Sequence, residues 1–195
     1  MIFVGILTNL KKEARVVGFD DAPFRKGIDH ETLVVGTIYR GGQFMDGVIS
    51  THVKVDGHDA TRKISEIVVR TKFYPQLQAI LLDGIAVGGF NVIDIWQLHE
   101  KTKLPIIVVI RDYPDYEKIE AALVKIGMRS KINLLRKAGE PEPVDEIFIQ
   151  CAGCSQQEAD KIVRLTSTHS HIPEPLRAAH LIAGGVTRGE SKGRA

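Results

Sequence analysis

The first third of the chain is dominated by three stretches of apolar and β-branched residues, at positions 14–19, 31–40 and 43–55. Such stretches favour β-strands. The paired glycines Gly41 and Gly42 lie between the second and third stretch, and glycine pairs favour a tight turn. Three strands that follow one another so closely predict an antiparallel meander.

The spacing of apolar residues then changes from that of strands to that of a helix. Asp59 is a suitable N-cap residue, because its carboxylate can accept hydrogen bonds from the first backbone N–H groups of a helix. Apolar side chains follow at helical spacing, at Ile64, Ile67 and Val68. A helix is therefore predicted to begin at Ala60.

Two further apolar runs, residues 78–83 and 104–110, predict strands, with a helix between them. The second run shows no alternation, which is typical of a strand that is buried on both faces. Asn91 is placed to cap the intervening helix, which is predicted to run to Lys103.

The last third of the chain reads as helices and two edge strands. Helices are predicted over residues 115–126, 155–165 and 174–183, and edge strands over residues 132–141 and 144–150. No repeat or low-complexity linker divides the sequence, so one domain is expected over residues 1–195. Its polar, glycine-containing tail, residues 187–195, is expected to be mobile.

This order of elements predicts an α/β fold. Helices that connect strands imply that the later strands are parallel. The expected architecture is a ribonuclease H-like mixed five-stranded sheet, with an antiparallel three-strand meander plus parallel strands, flanked by helices. A flavodoxin-like doubly wound sheet is the alternative, but it would not open with three consecutive strands.

Composition adds little to this picture and removes some classes of function. The net charge of +2 gives no strong field for or against nucleic acid. The apolar stretch at residues 1–10 is short, lacks a basic start and runs into Lys11 and Lys12. A secretory signal or membrane span is therefore not expected. The protein is expected to be cytoplasmic, without membrane contact.

The two cysteines, Cys151 and Cys154, form a CxxC pair. The pair fits two small residues in a strand-to-helix turn, a redox-active thiol pair at a helix start, or half of a zinc site. Zinc needs four ligands, and the sequence contains no second CxxC or HxxxH motif. The first two interpretations remain open.

Carboxylates end two of the predicted strands, at Asp20 and Asp83. Ligand sites in open α/β sheets lie beyond the carboxyl ends of parallel strands, so neighbouring strands would bring the two acids together. A shared proton or a cation would relieve their repulsion, and carboxylate oxygens suit Mg²⁺ or Mn²⁺. Such a site can polarise a phosphodiester, and the glycines after Asp83 would leave room for metal and phosphate. Alternatively, each aspartate only caps a turn.

Several long motifs resemble a largely archaeal family of uncharacterised proteins that is distantly related to endonuclease V. They are GFDD, VDGHDAT, LLDGIAVGGFNVID, IPEPLRAAHLIAGG and GES, and they span nearly the whole chain. The resemblance to endonuclease V implies a ribonuclease H-like fold. It also implies Mg²⁺-dependent cleavage of a phosphodiester near deaminated purines, in DNA or RNA.

The resemblance assigns roles to individual residues. Asp20 takes the first metal-ligand position and Asp83 the central one, while the adjacent Asp21 is a weaker candidate. His180 stands on the last helix where the enzymes carry an acid, and it can bind metal or orient a metal-bound water. Arg111 stands where a basic residue holds phosphate.

The sequence departs from endonuclease V at two points. Arg62 and Lys63 occupy the region where the enzymes place a glutamate, and Asp59 or Glu66 would have to substitute for it. The stretch KVDGHDA, residues 54–60, has no aromatic residue where the enzymes carry a strand-separating wedge.

Two functions follow from these observations. The first is a metal-dependent endonuclease with Asp20, Asp83 and His180 as catalytic residues. The second is a non-catalytic nucleic-acid-binding relative that has lost part of the acidic set. In either case Arg62, Lys63 and Arg111 are candidates for binding phosphate.

Overall fold

The centre of the protein is a seven-stranded mixed sheet with helices on both faces. The computed structural model describes residues 11–192, so the prediction for residues 1–10 and the end of the predicted tail, residues 193–195, lie outside the described part. The strand order in the sheet is β3-β2-β1-β4-β7-β9-β8, and β5 and β6 form a separate two-stranded hairpin.

The strands are β1 (Arg15–Asp21), β2 (Glu31–Arg40), β3 (Phe44–Lys54), β4 (Leu77–Asp83), β5 (Ala86–Val87), β6 (Asn91–Val92), β7 (Ile106–Ile110), β8 (Glu142–Val144) and β9 (Ile147–Ala152). The helices are α1 (Ala60–Arg70), α2 (Ile95–Thr102), α3 (Tyr116–Lys125), α4 (Ser130–Lys137), α5 (Gln156–Thr166) and α6 (Glu174–Arg188). A short 3₁₀ turn, Tyr74–Gln76, leads into β4.

The predicted meander is confirmed. Strands β1 and β2 pair antiparallel, and so do β2 and β3. The central strand β1 is buried along most of its length, whereas β3 at the edge of the sheet alternates between exposed and half-buried positions. The looser alternation of residues 43–55 therefore reflects a strand that is covered on one side only.

The parallel strands are also confirmed, but the predicted count of five strands is wrong. Strand β4 pairs parallel with both β1 and β7. Strands β9 and β8 then extend the sheet beyond β7, each antiparallel to its neighbour. The sheet therefore has seven strands, because β9 and β8 are hydrogen-bonded to it beyond β7.

The edge strand predicted over residues 132–141 is wrong, because most of this segment is helix α4. Its inward-facing residues, Lys131 and Leu135, are four positions apart, which places them on one helical face. The neighbouring apolar residues Ile132 and Leu134 gave the segment the composition of a strand. The actual strand β8 begins only at Glu142.

The start of α2 also differs from the prediction. Asn91 belongs to β6, and Asp94 is the N-cap, whose carboxylate accepts a hydrogen bond from the backbone N–H of Gln97. The side chain of Asn91 is used elsewhere: its amide donates to the carbonyl of Lys54 at 2.9 Å and to Asp59 at 2.7 Å. Asn91 thus fixes the connection between β3 and α1.

Helix α6 is longer than the predicted helix over residues 174–183. It continues to Arg188 and ends at Gly189, whose φ of 82° is the left-handed conformation that closes many helices. Residues 187 and 188, which were predicted to begin the mobile tail, are therefore the last residues of this helix.

The two faces of the sheet carry different helices. Val17 and Phe19 of β1 pack in the core beneath α1 and α2. Val16, on the opposite face, packs in a second core with Leu176 of α6 and with α5. Side chains along a strand alternate between faces, so even-numbered residues of β1 face α6. Within residues 11–192 the structure contains no helix long and apolar enough to span a membrane.

Candidate metal centre

Asp20 and Asp83 lie side by side at one edge of the sheet. Strands β1 and β4 are parallel neighbours, and Phe19 pairs with Leu82, so the next residue of each strand is an aspartate. Side chains two or four positions apart on a strand lie on the same face. Val16 lies four positions before Asp20 and Leu81 two positions before Asp83, and both pack on the α6 face. Both carboxylates therefore face α6. The predicted convergence of the two acids is therefore present.

Helix α6 brings His180 to these acids. The helix starts directly on β1, where Gly18 leaves no space for a side chain: an added Cβ would lie 2.7 Å from the carbonyl carbon of Pro175. The hydroxyl of Thr37 on β2 donates to the carbonyl of Pro175 at 2.6 Å. With its first turn fixed in this way, the helix places His180 Nδ1 2.8 Å from Asp20 Oδ2.

The three side chains form a cluster of possible metal ligands. Asp20, Asp83 and His180 each offer one ligand atom, and these atoms lie within 4.8 Å of one another. Burial, together with the negative charge of Asp83, raises the pKa of Asp20 to about 6, although hydrogen bonds from His180 and from the Asp21 N–H oppose the shift. At this separation two ionised carboxylates repel by about 3 kcal/mol at an effective dielectric constant near 20.

Asp21 points to the opposite face of the sheet and does not join this cluster. Its carboxylate accepts a hydrogen bond from the backbone N–H of Gly88. Burial, and then the charge of Asp20, raise the pKa of Asp21 to about 7. The two consecutive aspartates therefore lie in different surroundings: Asp20 faces α6 and Asp21 faces the β5–β6 hairpin.

Arg111, expected to hold phosphate, is paired with Asp83. Its guanidinium donates from both terminal nitrogens, at 3.1 and 3.0 Å, to the two carboxylate oxygens. The Asp83 side chain is 9% exposed and that of Arg111 is 41% exposed, so the arginine covers the acid from the solvent side. Arg111 thus partly balances the charge of the cluster, and its exposure leaves it accessible to a ligand.

The candidates on and before α1 do not join the cluster. Asp59 is the N-cap of α1 by position. Its Oδ1 accepts hydrogen bonds from the backbone N–H of Lys54 and from Asn91, so it holds the chain entering the helix. Glu66 pairs with Arg62 at 2.9 Å on the exposed side of α1. Lys63, next to Arg62, is half-buried on the same helix.

The glycines after Asp83 have different roles from one another. Gly84 has a φ of 80°, and no atom of residues 11–192 lies within 4 Å of an added Cβ, so these residues leave space beside Asp83. Gly88 and Gly89 instead permit close packing. An added Cβ would lie 3.1 Å from Thr32 at Gly88, and 2.5 Å from the carboxylate of Asp56 at Gly89.

Lys131 of α4 holds the β3–α1 connection and the β5–β6 hairpin together, a role that was missed because α4 was predicted as a strand. The side chain is buried, and its ammonium donates to the backbone carbonyls of Asp56, Gly57 and Phe90 at 2.5–2.8 Å. Asp56 also accepts a hydrogen bond from the Phe90 N–H. The β3–α1 connection and the β5–β6 hairpin are thereby joined to each other.

The donor set fits a divalent cation. Two carboxylates supply the hard oxygen ligands that Mg²⁺ and Mn²⁺ prefer, and an imidazole nitrogen is better suited to Mn²⁺ than to Mg²⁺. Burial and then repulsion from Asp83 raise the pKa of Asp20, and a cation would remove the second of these causes. The cluster therefore has the chemistry of a metal site with Asp20, Asp83 and His180 as its candidate ligands.

Solved structures share this architecture. A crystal structure of a protein of unknown function from Archaeoglobus fulgidus is 36% identical, with a TM-score of 0.84 over 90% of this chain and 99% of that chain. Endonuclease V from Bacillus subtilis is 14% identical, with a TM-score of 0.59 over 90% and 81% of the two chains. Endonuclease V from Ciona intestinalis, in complex with a 24mer DNA containing an inosine followed by a ribo-adenosine, is 19% identical, with a TM-score of 0.53 over 85% and 82%. The fold is thus that of endonuclease V.

Sequence comparison assigns the family. A UPF0215 protein of Methanothermobacter thermautotrophicus is 48% identical over 191 residues, which cover 95% of this chain and 94% of the relative. A UPF0215 protein of Methanosarcina acetivorans is 46% identical over 194 residues, covering 96% and 97%. The expected relation to an archaeal family with the endonuclease V fold is confirmed. The family model described as Endonuclease dU matches residues 12–187, and the chain therefore belongs to the Endonuclease dU family.

Proposed function

We propose that this protein is a metal-dependent endonuclease that hydrolyses phosphodiester bonds of nucleic acid at the Asp20–Asp83–His180 cluster. The observation that carries the proposal is the convergence of these three side chains within 4.8 Å at the ends of adjacent parallel strands. The order of the meander and the parallel strands supports a ribonuclease H-like assignment of the fold. The family description and the endonuclease V fold support the same reaction class.

Asp20 and Asp83 would hold the cation, Mg²⁺ or Mn²⁺, with His180 as a third ligand or as the group that orients Asp20. A divalent ion in such a site polarises the phosphoryl oxygen and lowers the pKa of a bound water. The protein contributes geometry: α6 fixes the imidazole of His180, and the hydrogen bond to Asp20 fixes the carboxylate.

Arg111 has a second task in this proposal. The guanidinium binds Asp83 through both nitrogens, which is the same bidentate geometry with which arginine binds phosphate. When a cation satisfies Asp83, Arg111 becomes available to a phosphate oxygen of the bound strand. The exposed side of the arginine faces the solvent from which a substrate would arrive.

The family description, Endonuclease dU, supports a proposal for the substrate class. We propose DNA that contains 2′-deoxyuridine, the product of cytosine deamination, as the substrate. The stretch 54–60 carries no aromatic side chain to separate the strands. Separation of the strands would therefore depend on residues outside this stretch.

The test is cleavage of end-labelled oligonucleotides that contain deoxyuridine, deoxyinosine or no modified base, in Mg²⁺, Mn²⁺ or EDTA. We expect metal-dependent cleavage at deoxyuridine that is lost in Asp20→Asn and Asp83→Asn. The matched control is Asp160→Asn, because Asp160 pairs with Arg164 on the surface of α5. Cleavage that persists in both cluster variants contradicts the site.

The same samples test the alternative of a non-catalytic binder. Salt-sensitive binding of the oligonucleotides without cleavage, in wild type as in Asp83→Asn, would support that alternative and contradict the nuclease. Cleavage at deoxyinosine but not at deoxyuridine would retain the nuclease and overturn the substrate.

A further inference from the structure

The turn between β9 and α5 brings the two cysteines together. Cys151 is in β9, Cys154 immediately precedes the N-cap residue Ser155, and both are half-buried free thiols. Gly153 between them has a φ of 80°, and an added Cβ would collide with the ring of His99. This position accepts only glycine, so the turn is held tight against α2 and returns the chain toward Cys151.

The surroundings of Cys151 are polar on one side. Its sulfur lies 3.5 Å from the carbonyl oxygen of Cys154 and 3.7 Å from Gln156 Oε1. The Nε2 atom of Gln156 is buried without a hydrogen-bond partner among residues 11–192. A half-turn of this amide would aim Nε2 at the sulfur, and a thiolate is an acceptor that would satisfy it.

The two thiols have unequal acidity. The neighbouring side chain of Cys154 lowers the pKa of Cys151, whereas the side chain of Cys151, and then burial, raise the pKa of Cys154. The thiolate is the nucleophile in thiol–disulfide exchange. Cys151 is therefore suited to attack first, and Cys154 to act as the second thiol.

We propose that Cys151 and Cys154 form a reversible intramolecular disulfide, which makes the CxxC turn a thiol-oxidation site separate from the metal centre. The oxidant is a low-molecular-weight disulfide. The Cys151 thiolate attacks one of its sulfurs, forms a mixed disulfide and releases one small thiolate. The sulfur of Cys154, after losing its proton, then attacks the Cys151 sulfur and releases the second small thiolate. The cysteines lose two electrons and two protons, and the small disulfide is reduced to two thiols.

This site lies away from the candidate metal centre. Cys151 pairs with Ile107 near the start of β7, whereas Asp83 pairs with Val109 toward the other end of that strand. Cys151 also packs in the core beneath α5. Oxidation is thus expected to leave metal binding unchanged, and the proposal does not depend on the nuclease function.

The experiment treats the full-length, folded protein with oxidised glutathione and follows intact mass and free thiols. We expect wild type to lose two hydrogen atoms, to carry no adduct, and to recover both thiols with a reductant. Cys154→Ser should accumulate one glutathione at Cys151, because the second thiol is missing. Cys151→Ser is the matched control and should react more slowly at Cys154.

Two results would overturn the proposal. One is wild type that keeps both thiols under conditions in which the denatured protein is oxidised. The other is wild type that forms a disulfide-linked dimer or carries two glutathiones. A melting temperature measured for each variant establishes that the comparison is made between folded proteins.

Discussion

His180 Nδ1 lies 2.8 Å from Asp20 Oδ2, although the two residues are 160 positions apart in the chain. This contact joins the last helix to the end of the first strand, next to the carboxylate of Asp83. The candidate centre therefore exists only when α6 is seated on β1, and its properties can be changed through the helix as well as through the acids.

Replacing His180 tests its place in the metal site. We expect His180→Ala to weaken Mn²⁺ binding by at least about 10-fold, because a ligand, or the group that orients one, is lost. Isothermal titration calorimetry measures the affinity. The control is His171→Ala, since His171 is an exposed histidine paired with Glu146. Equal affinities for Mn²⁺ in the two variants would exclude His180 from the site.

Removing Arg111 should have opposite effects on metal and on substrate. In Arg111→Ala the cation no longer competes with the guanidinium for Asp83, so Mn²⁺ binds several-fold more tightly. Cleavage at saturating metal falls, because the phosphate loses a bidentate partner. Arg136→Ala is the matched control, because Arg136 also donates from two nitrogens, Nε and one terminal nitrogen, to a surface carboxylate, that of Glu120. Weaker metal binding in Arg111→Ala would contradict this account.

Two glycine-to-alanine changes separate packing under α6 from helix propensity within it. Gly18→Ala forces a methyl group against Pro175, which should destabilise the protein by about 1–3 kcal/mol and move His180 away from Asp20. In Gly185→Ala the new methyl group has no atom of the described residues within 4 Å, and the change should stabilise the protein by about 0.5–1 kcal/mol. Urea unfolding and Mn²⁺ affinity measure both. If Gly18→Ala binds Mn²⁺ as tightly as wild type, close packing of α6 on β1 is not required for metal binding.

Lys131→Met should destabilise the β3–α1 connection and the β5–β6 hairpin. The change leaves the carbonyls of Asp56, Gly57 and Phe90 without their hydrogen-bond donor. Each carbonyl that water does not reach should lower the free energy of unfolding by about 1–3 kcal/mol. Lys125→Met, at an exposed position of α3, is the control. Urea unfolding that distinguishes neither variant from wild type would contradict the role of Lys131.

Asp46 gives the stability of the meander a pH dependence. Burial alone would raise its pKa, but hydrogen bonds and charge from Arg15 and Arg40 hold the pKa below its usual 3.8. The ionised form therefore stabilises the folded state above about pH 4, and this contribution disappears as pH falls through the lowered pKa. Asp46→Asn should cost about 1–3 kcal/mol at pH 7 and progressively less in acid.

Melting temperatures of wild type and Asp46→Asn between pH 3 and pH 7 measure this effect. Glu120→Gln, which weakens the more exposed pair with Arg136, is the control and should change stability less. A difference between wild type and Asp46→Asn that stays constant over the whole range would refute the assignment.

The sequence predicted the meander, the parallel strands and the convergence of Asp20 with Asp83, because each depends on local pattern. Asp20 and Asp83 follow directly on apolar runs, which shows where the strands end. The alternation of side chains along β1 and β4 then places both carboxylates on the same face. Asp21 follows the same rule: one step along a strand moves a side chain to the other face, which separates it from Asp20.

The remaining features depend on contacts between distant parts of the chain. Helix α4 was predicted as a strand because its apolar residues are dense, and its buried face includes a lysine that only the three facing carbonyls make tolerable. The pairing of Arg111 with Asp83 and the hydrogen bond from Gly88 to Asp21 likewise require the folded sheet. No periodicity within one segment encodes such partners.

The double contact between Arg111 and Asp83 has a thermodynamic consequence. One guanidinium cannot hold the carboxylate and a phosphate through the same nitrogens at once. If the protein is the nuclease proposed above, an ion that satisfied Asp83 would free the arginine for the phosphate of a bound strand. Binding of ion and strand would then be positively linked, and reciprocity would require each to raise the affinity for the other by the same factor. The side chain of Arg111 alone would thus make the binding of ion and strand cooperative.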